Sequence, residues 1–302
     1  MTSVWPEPLQ PGDRLLAIAP SGCLRELDAL QAALELWRQA GFQIDLAPHW
    51  QEQQGYLAGS DRDRLADLKA GWLDPHYRGL VCIRGGWGAA RLLEGWDDWP
   101  TSPEPKWLIG FSDITTLLWT LTRQHRGAVH APVLTTLAAE PLRSLQRLWD
   151  CLQGKPLEPL AGSVWVHGTA EGPIYPANLT VATHLLGTPW LPNLRGAILA
   201  IEDVSEQPYR LDRLLTQWRL SGQLQKLAGI AVGRFSQCDP PSDRPSFSVE
   251  AVLRDRLSDL GIPVLADLPF GHDGENAALP VGAIARIQGD RLQIDWPAAS
   301  QE

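Results

Sequence analysis

Apolar positions in the first half of the chain switch between two periods. Residues 13–19 (DRLLAIA) are a short apolar run closed by Pro20-Ser21-Gly22. Leu24, Leu27, Leu30, Leu34 and Trp37 then recur at three- and four-residue spacing until Gly41. The run reads as a buried strand, and the repeat as an amphipathic helix with a C-terminal glycine. The alternation continues with a helix over about 61–70, a strand at 78–83 (RGLVCI) and the turn Gly85-Gly86-Trp87-Gly88 leading into another helical stretch. A strand at 106–111 (KWLIGF) runs into a helix at about 113–124, and a further helix covers about 140–153. Short, continuously apolar strands between helices predict a parallel sheet covered on both faces.

Residues 154–163 (GKPLEPLAGS) read as a linker, which divides the chain into an N-terminal α/β domain, 1–153, and a C-terminal domain, 164–302. The second half is mixed. Helices are predicted near 178–187, 208–221 and 248–260, strands at 196–201, 228–233 and 263–267, and a Pro-rich loop at 239–245. The segments VGAIARI and RLQIDW, joined by Gly289-Asp290, predict a hairpin.

Composition narrows the function classes. The 302 residues carry 26 basic and 35 acidic side chains, a net charge of −9, which lacks the footprint of a nucleic-acid or anionic-membrane binder. No apolar run approaches the ~20 residues of a membrane span. The first residues, MTSVWPEPLQPGDR, place Pro and acid where a secretory signal needs basic and apolar residues. Cys23, Cys82, Cys151 and Cys238 form no CxxC pair, which argues against a zinc site or a disulfide framework. The expectation is a soluble, cytoplasmic protein without a metal. Fourteen Trp are unusually many, and core packing or an interface would each account for them.

Three places put reactive side chains where a strand ends. In Gly110-Phe111-Ser112-Asp113 a strand feeds a helix, and a sharp turn there would expose the Ser112 hydroxyl beside free backbone N–H groups. Serine is also a preferred helix N-cap, the reading the tetrapeptide alone favours, and Asp113 departs from the G-x-S-x-G elbow. Glu202-Asp203 follows the strand GAILAI, as an orienting carboxylate or as a solvated strand end. Gly271-His272-Asp273-Gly274 offers a histidine between glycines, fit for a general base or for a solvent-exposed loop. Ser112, Glu202 and His272 fall in the chain order nucleophile, acid, base, also the order in α/β-hydrolases. Arg84-Gly85-Gly86-Trp87-Gly88 matches neither the dinucleotide fingerprint nor the P-loop, so no cofactor is expected. It would suit a carboxylate or oxyanion cradle, with Arg84 beside it.

These segments resemble the LD-carboxypeptidases of bacterial cell-wall recycling, serine peptidase family S66, to which the microcin C immunity peptidases also belong. The resemblance rests on GDRLLAIAPSG at 12–22, RGGWG at 84–88, IGFSDIT at 109–115, IEDVSEQPYRLDRLL at 201–215 and LPFGHDGENAALPVG at 268–282. It implies an N-terminal parallel, Rossmann-like domain, a smaller mixed α/β C-terminal domain and an active site between them. It makes Ser112 the nucleophile, Glu202 the triad acid and His272 the base. Asp113 and Gly85 or Gly86 would supply oxyanion N–H groups, and Arg84 would hold the substrate carboxylate. The implied substrate is a murein tetrapeptide losing its terminal D-Ala, with a homodimer as the assembly. An aminoacyl-nucleotide amide, or a non-catalytic binding role on the same fold, are the alternatives. Trp87 replaces a usual Tyr, Ala131 interrupts a usual His-Gly-Pro, and Pro176-Ala177 precedes Asn178-Leu179 where glycines are common. The first and last of these bear on the substrate pocket.

Overall fold

The computed structural model describes residues 5–96, 104–122, 127–240 and 245–296. Residues 1–4, the end of the helix expected at 113–124 and positions 241–244 of the expected Pro-rich loop lie outside them. The chain forms two compact units. One contains the described residues up to Lys155 and the segment Ala278–Val281, and the other contains Pro156–Ala277 and the described residues from Gly282 onward.

The first unit is built on a six-stranded sheet in the order Leu279–Pro280, Ala128–His130, Trp107–Gly110, Gly79–Cys82, Arg14–Ile18, Gln43–Leu46. The last five strands pair in parallel, and Leu279–Pro280 adds to the edge antiparallel. Gly79–Cys82 and Trp107–Gly110 are buried at every position, as strands covered on both faces must be. Helix Leu27–Gln39 buries Leu30, Ala33 and Trp37, and the chain leaves it through Gly41 at φ +96°, a left-handed exit that glycine allows. Helix Asp61–Leu73 starts from Ser60, whose hydroxyl accepts from the Asp63 N–H at 3.1 Å. The stretch after the glycine turn, read as helix, is instead a 3₁₀ segment, Ala89–Gly95. The carbonyl of Gly88 accepts from Arg64 Nη1 at 3.0 Å and from the Arg91 N–H at 3.2 Å, so a buried side chain competes where the first α-helical bond would form.

The second unit holds an eight-stranded mixed sheet. Thr169–Asn178, Ile198–Val204, Gly229–Ser236 and Val264–Ala266 run parallel in that order. Antiparallel strands flank them: Ile284–Gln288, Arg291–Ile294 and Leu160–Ala161 on one side, Ser163–Val166 on the other. The hairpin forms through Gly289 at φ +60°. Helices Leu179–His184, Pro208–Leu220 and Val249–Leu257 accompany the sheet. Pro208 opens the second of these, where its missing N–H costs nothing. The fold is thus α/β, with a first sheet parallel except at one edge and a mixed second one. Trp37, Trp72, Trp96, Trp107, Trp119 and Trp218 are fully buried, which accounts for much of the tryptophan content as core.

Candidate active site

In the first unit, strand Trp107–Gly110 ends at a turn closely packed around its last residue. A Cβ on Gly110 would lie 3.0 Å from Ile114 Cγ2 and 3.2 Å from Cys82 Cβ. Phe111 takes the cap position of the short 3₁₀ turn Ser112–Ile114, which leads into helix Thr115–Thr122. Ser112 has φ +64°. An N-cap is extended, so Ser112 does not have the geometry of a cap. A left-handed non-glycine residue costs about 1–3 kcal/mol, and such strain concentrates at functional turns, the nucleophile elbow among them.

The glycine turn packs against this serine. A Cβ on Gly85 would meet Ser112 Cβ at 3.0 Å and Oγ at 3.2 Å. Gly86 and Gly88 sit at φ +110° and +130°, where only glycine is comfortable. Gly85→Ala is therefore expected to push the Ser112 side chain away and to lower kcat about 10²-fold with little change in Tm. Steady-state kinetics beside thermal melting check this, and a kcat within threefold of the parent would refute it.

Arg84 donates from Nε to Glu26 Oε2 at 3.3 Å and from Nη1 to the Gly85 carbonyl at 3.4 Å. Trp87 is 41% exposed. Asp113 is fully buried, and its Oδ2 accepts from Ser21 Oγ at 2.5 Å and from the Ala89 N–H at 2.8 Å. That carboxylate contact joins residues 92 positions apart, and no local pattern announces it.

In the second unit, the adjacent carboxylates at the end of strand Ile198–Val204 part company, because neighbouring strand residues face opposite sides. Asp203 accepts from Asn178 Nδ2, from the Thr180 N–H and hydroxyl, and from the Val204 N–H, at 2.8–3.0 Å. Burial and then the Glu202 charge push its carboxyl up to about 6, against the four donors. Glu202, with no exposed surface, accepts from His272 Nδ1 at 2.5 Å. Its other oxygen has no hydrogen-bond partner among the described residues. The loop carrying His272 is tied to its surroundings. The Gly271 N–H donates to Asn276 Oδ1 at 3.1 Å and the Arg234 N–H to the Phe270 carbonyl at 2.8 Å. Ala277 N–H donates to the Pro269 carbonyl at 2.9 Å. Gly233 leaves room for this loop, since a Cβ there would lie 2.5 Å from the Phe270 oxygen.

Burial pulls the His272 imidazole down, but the charge and hydrogen bond of Glu202, helped by Asp203 and Asp273, outweigh it and leave the group raised above 6.5. A raised folded-state value makes the pair most stabilising below pH 6.5, and that stability is lost as pH rises through the folded value. Asp203, at about 6, titrates largely below that window. Urea denaturation midpoints are expected to fall as pH is raised from about 6.5 to 9, with a shallower fall in Glu202→Gln. Equal slopes in the two proteins would show that the pair does not carry the effect.

Among the described residues no group of three or more His, Cys, Asp or Glu is placed to hold a metal ion, and no helix is long and apolar enough to cross a membrane. The LD-carboxypeptidase N-terminal domain model matches residues 16–131, and the LD-carboxypeptidase C-terminal domain model matches residues 171–287. The chain belongs to the LD-carboxypeptidase family. It is a hydrolase of the carboxypeptidase class. A Synechocystis protein that carries a carboxypeptidase name is 55% identical over 285 residues, 94% of each chain. The murein tetrapeptide carboxypeptidase of Pseudomonas aeruginosa is 34% identical and covers 94% of this chain and 96% of its own. The crystal structure of muramoyltetrapeptide carboxypeptidase from Oxalobacter formigenes superposes with a TM-score of 0.79 at 27% identity, over 94% of this chain and 98% of that one.

Proposed function

We propose that this LD-carboxypeptidase removes the terminal D-Ala from murein tetrapeptides by serine catalysis, with Ser112 as nucleophile, His272 as base and Glu202 as the carboxylate that orients it. The observation that carries the reading is the buried 2.5 Å contact from His272 Nδ1 to Glu202 Oε2. A base so held keeps its proton on Nδ1 and offers Nε2 as acceptor. In the proposed reaction Ser112 Oγ attacks the scissile carbonyl while His272 takes the hydroxyl proton. The tetrahedral oxyanion is met by backbone N–H groups of Asp113 and of Gly85 or Gly86. His272 then returns the proton to the leaving D-Ala amine. Water, deprotonated by the same imidazole, frees the tripeptide acid from the serine ester. Arg84 would meet the terminal carboxylate of the substrate, exchanging its Glu26 contact for a charge-assisted one. Trp87, exposed beside it, would border the substrate.

No cofactor is needed for these steps. The buried thiols of Cys23, Cys82 and Cys238 suit a reducing compartment, which supports a cytoplasmic setting. Exposed Tyr209 and Phe247, which line one cavity in the second unit, supply apolar surface of the kind a homodimer would cover.

The test is incubation of the protein with murein tetrapeptide, pentapeptide and a peptidyl-nucleotide amide, each followed by mass spectrometry. Release of D-Ala from tetrapeptide with the highest kcat/KM is expected. A higher kcat/KM on the nucleotide amide would overturn the substrate assignment, and no turnover of any of the three would overturn the reading as a whole.

A further inference from the structure

The turn that carries Ser112 does not stand alone in the first unit. Three segments distant in sequence meet there: Pro20-Ser21-Gly22 after the first strand, Gly85–Ala89 after the third, and Ser112-Asp113 itself after the fourth. Polar groups without solvent exposure join them. Asp113 Oδ2 accepts from Ser21 Oγ at 2.5 Å and from the Ala89 N–H at 2.8 Å, and both side chains are fully buried. The Gly22 N–H donates to the Gly85 carbonyl at 3.1 Å. Arg64, 2% exposed, reaches the carbonyls of the first two segments with Nη1, at Pro20 and at Gly88, while Nη2 holds Asp61.

We propose that Ser21, Asp113 and Arg64 are positioning residues that fix the backbone donors of the glycine turn opposite Ser112. The inference rests on the reading of Ser112 as nucleophile and extends it to what sets the oxyanion geometry. Gly85 packs closely against Ser112 on one side, the Gly22 N–H holds its carbonyl on the other, and Asp113 and Arg64 fix the far end of the same turn at the Ala89 N–H and the Gly88 carbonyl. An oxyanion site is effective only if its donors are aimed before charge develops, so a brace on the donor segment acts on kcat more than on KM.

The charges are arranged to the same end. A carboxylate next to the nucleophile would by itself oppose a developing oxyanion. Arg64 is buried nearby and feels it: burial lowers the guanidinium, while the bond to Asp61 and the charges of Asp61 and Asp113 favour its charged form. The cation therefore offsets the Asp113 charge and ties two of the segments with one planar group. Lysine has the charge but not the fork.

The experiment measures kcat and KM on murein tetrapeptide for Ser21→Ala, Asp113→Asn and Arg64→Lys, with the folded fraction of each fixed by circular dichroism and gel filtration. Ser112→Ala is run as a control. Each of the three variants is expected to lose about 10- to 10²-fold in kcat per folded molecule, with KM within about twofold. A purely structural role would lower Tm and the folded fraction and leave kcat per folded molecule at the parent value, and that result in Ser21→Ala and Asp113→Asn would overturn the inference. Should either fail to fold, Arg64→Lys decides on the same criterion. If Ser112→Ala kept its activity, the underlying reading would fall. If Ser112→Ala were inactive while the three variants kept full kcat, only the brace would fall.

Discussion

Replacing Ser112 by alanine is expected to lower kcat/KM on murein tetrapeptide by about 10⁴- to 10⁶-fold, the range found when a serine nucleophile is deleted and the rest of a site remains. Ser112→Gly should be just as inactive and yet more stable than the parent. The native φ of +64° strains any side chain, and glycine adopts it freely. Relief of a strain of about 1–3 kcal/mol, less the extra unfolded-state entropy of glycine, leaves a net gain of about 1 kcal/mol. Progress curves by mass spectrometry and urea denaturation measure the two effects separately. If Ser112→Ala kept activity within tenfold of the parent, another group would have to be the nucleophile. If Ser112→Gly were less stable than the parent, the left-handed turn would not be the strained element.

Glu202→Gln should cost about 10³- to 10⁴-fold in kcat while leaving His272 with an acceptor for its Nδ1 proton. The variant also makes a directional statement about pH. The limb of kcat/KM on which His272 loses its proton lies above 6.5 in the parent, because Glu202 more than offsets the effect of burial. Without the carboxylate charge, burial remains, and the limb moves to lower pH. Residual activity would therefore reach its plateau at a lower pH than in the parent. A limb that stayed in place would separate His272 from the titration that governs the rate. A kcat within tenfold of the parent would take the orienting role from Glu202.

Both substitutions touch residues that the sequence singles out, but it singles them out with rivals attached. At Gly110-Phe111-Ser112-Asp113 a strand–helix junction suits a nucleophile but suits an N-cap serine better, since both occupy the same kind of turn and caps are the commoner use of it. Only the backbone angle separates them, and the angle depends on how Gly110 and Gly85 pack, contacts made across the sheet. For Glu202-Asp203, alternation says that the two face opposite ways but not which faces His272. Fold elements show the same division. Strands such as GLVC and WLIG stand out because both faces are buried. The ten-residue strand Thr169–Asn178 escapes notice because Pro173 and Pro176 interrupt it. Its register with Ile284–Gln288 ends at Pro173, so Pro176 lies where a ladder partner on that side is no longer required. Arg64, in the charged run Asp61-Arg62-Asp63-Arg64, has the pattern of a solvated helix face, and its burial follows from tertiary contacts with Pro20 and Gly88.

The short strand Leu279–Pro280 has a consequence for how the protein can be made. It completes the edge of the first sheet beside Ala128–His130, although it comes from near the other end of the chain. During synthesis the first unit therefore cannot close its sheet until the chain has been extended past Val281, so folding of the two units is not strictly sequential. Until then the edge at Ala128–His130 stays open to other strands. Cutting the gene after Lys155 would leave the same edge bare, and modular exchange of either unit would have to move two separated stretches of code at once.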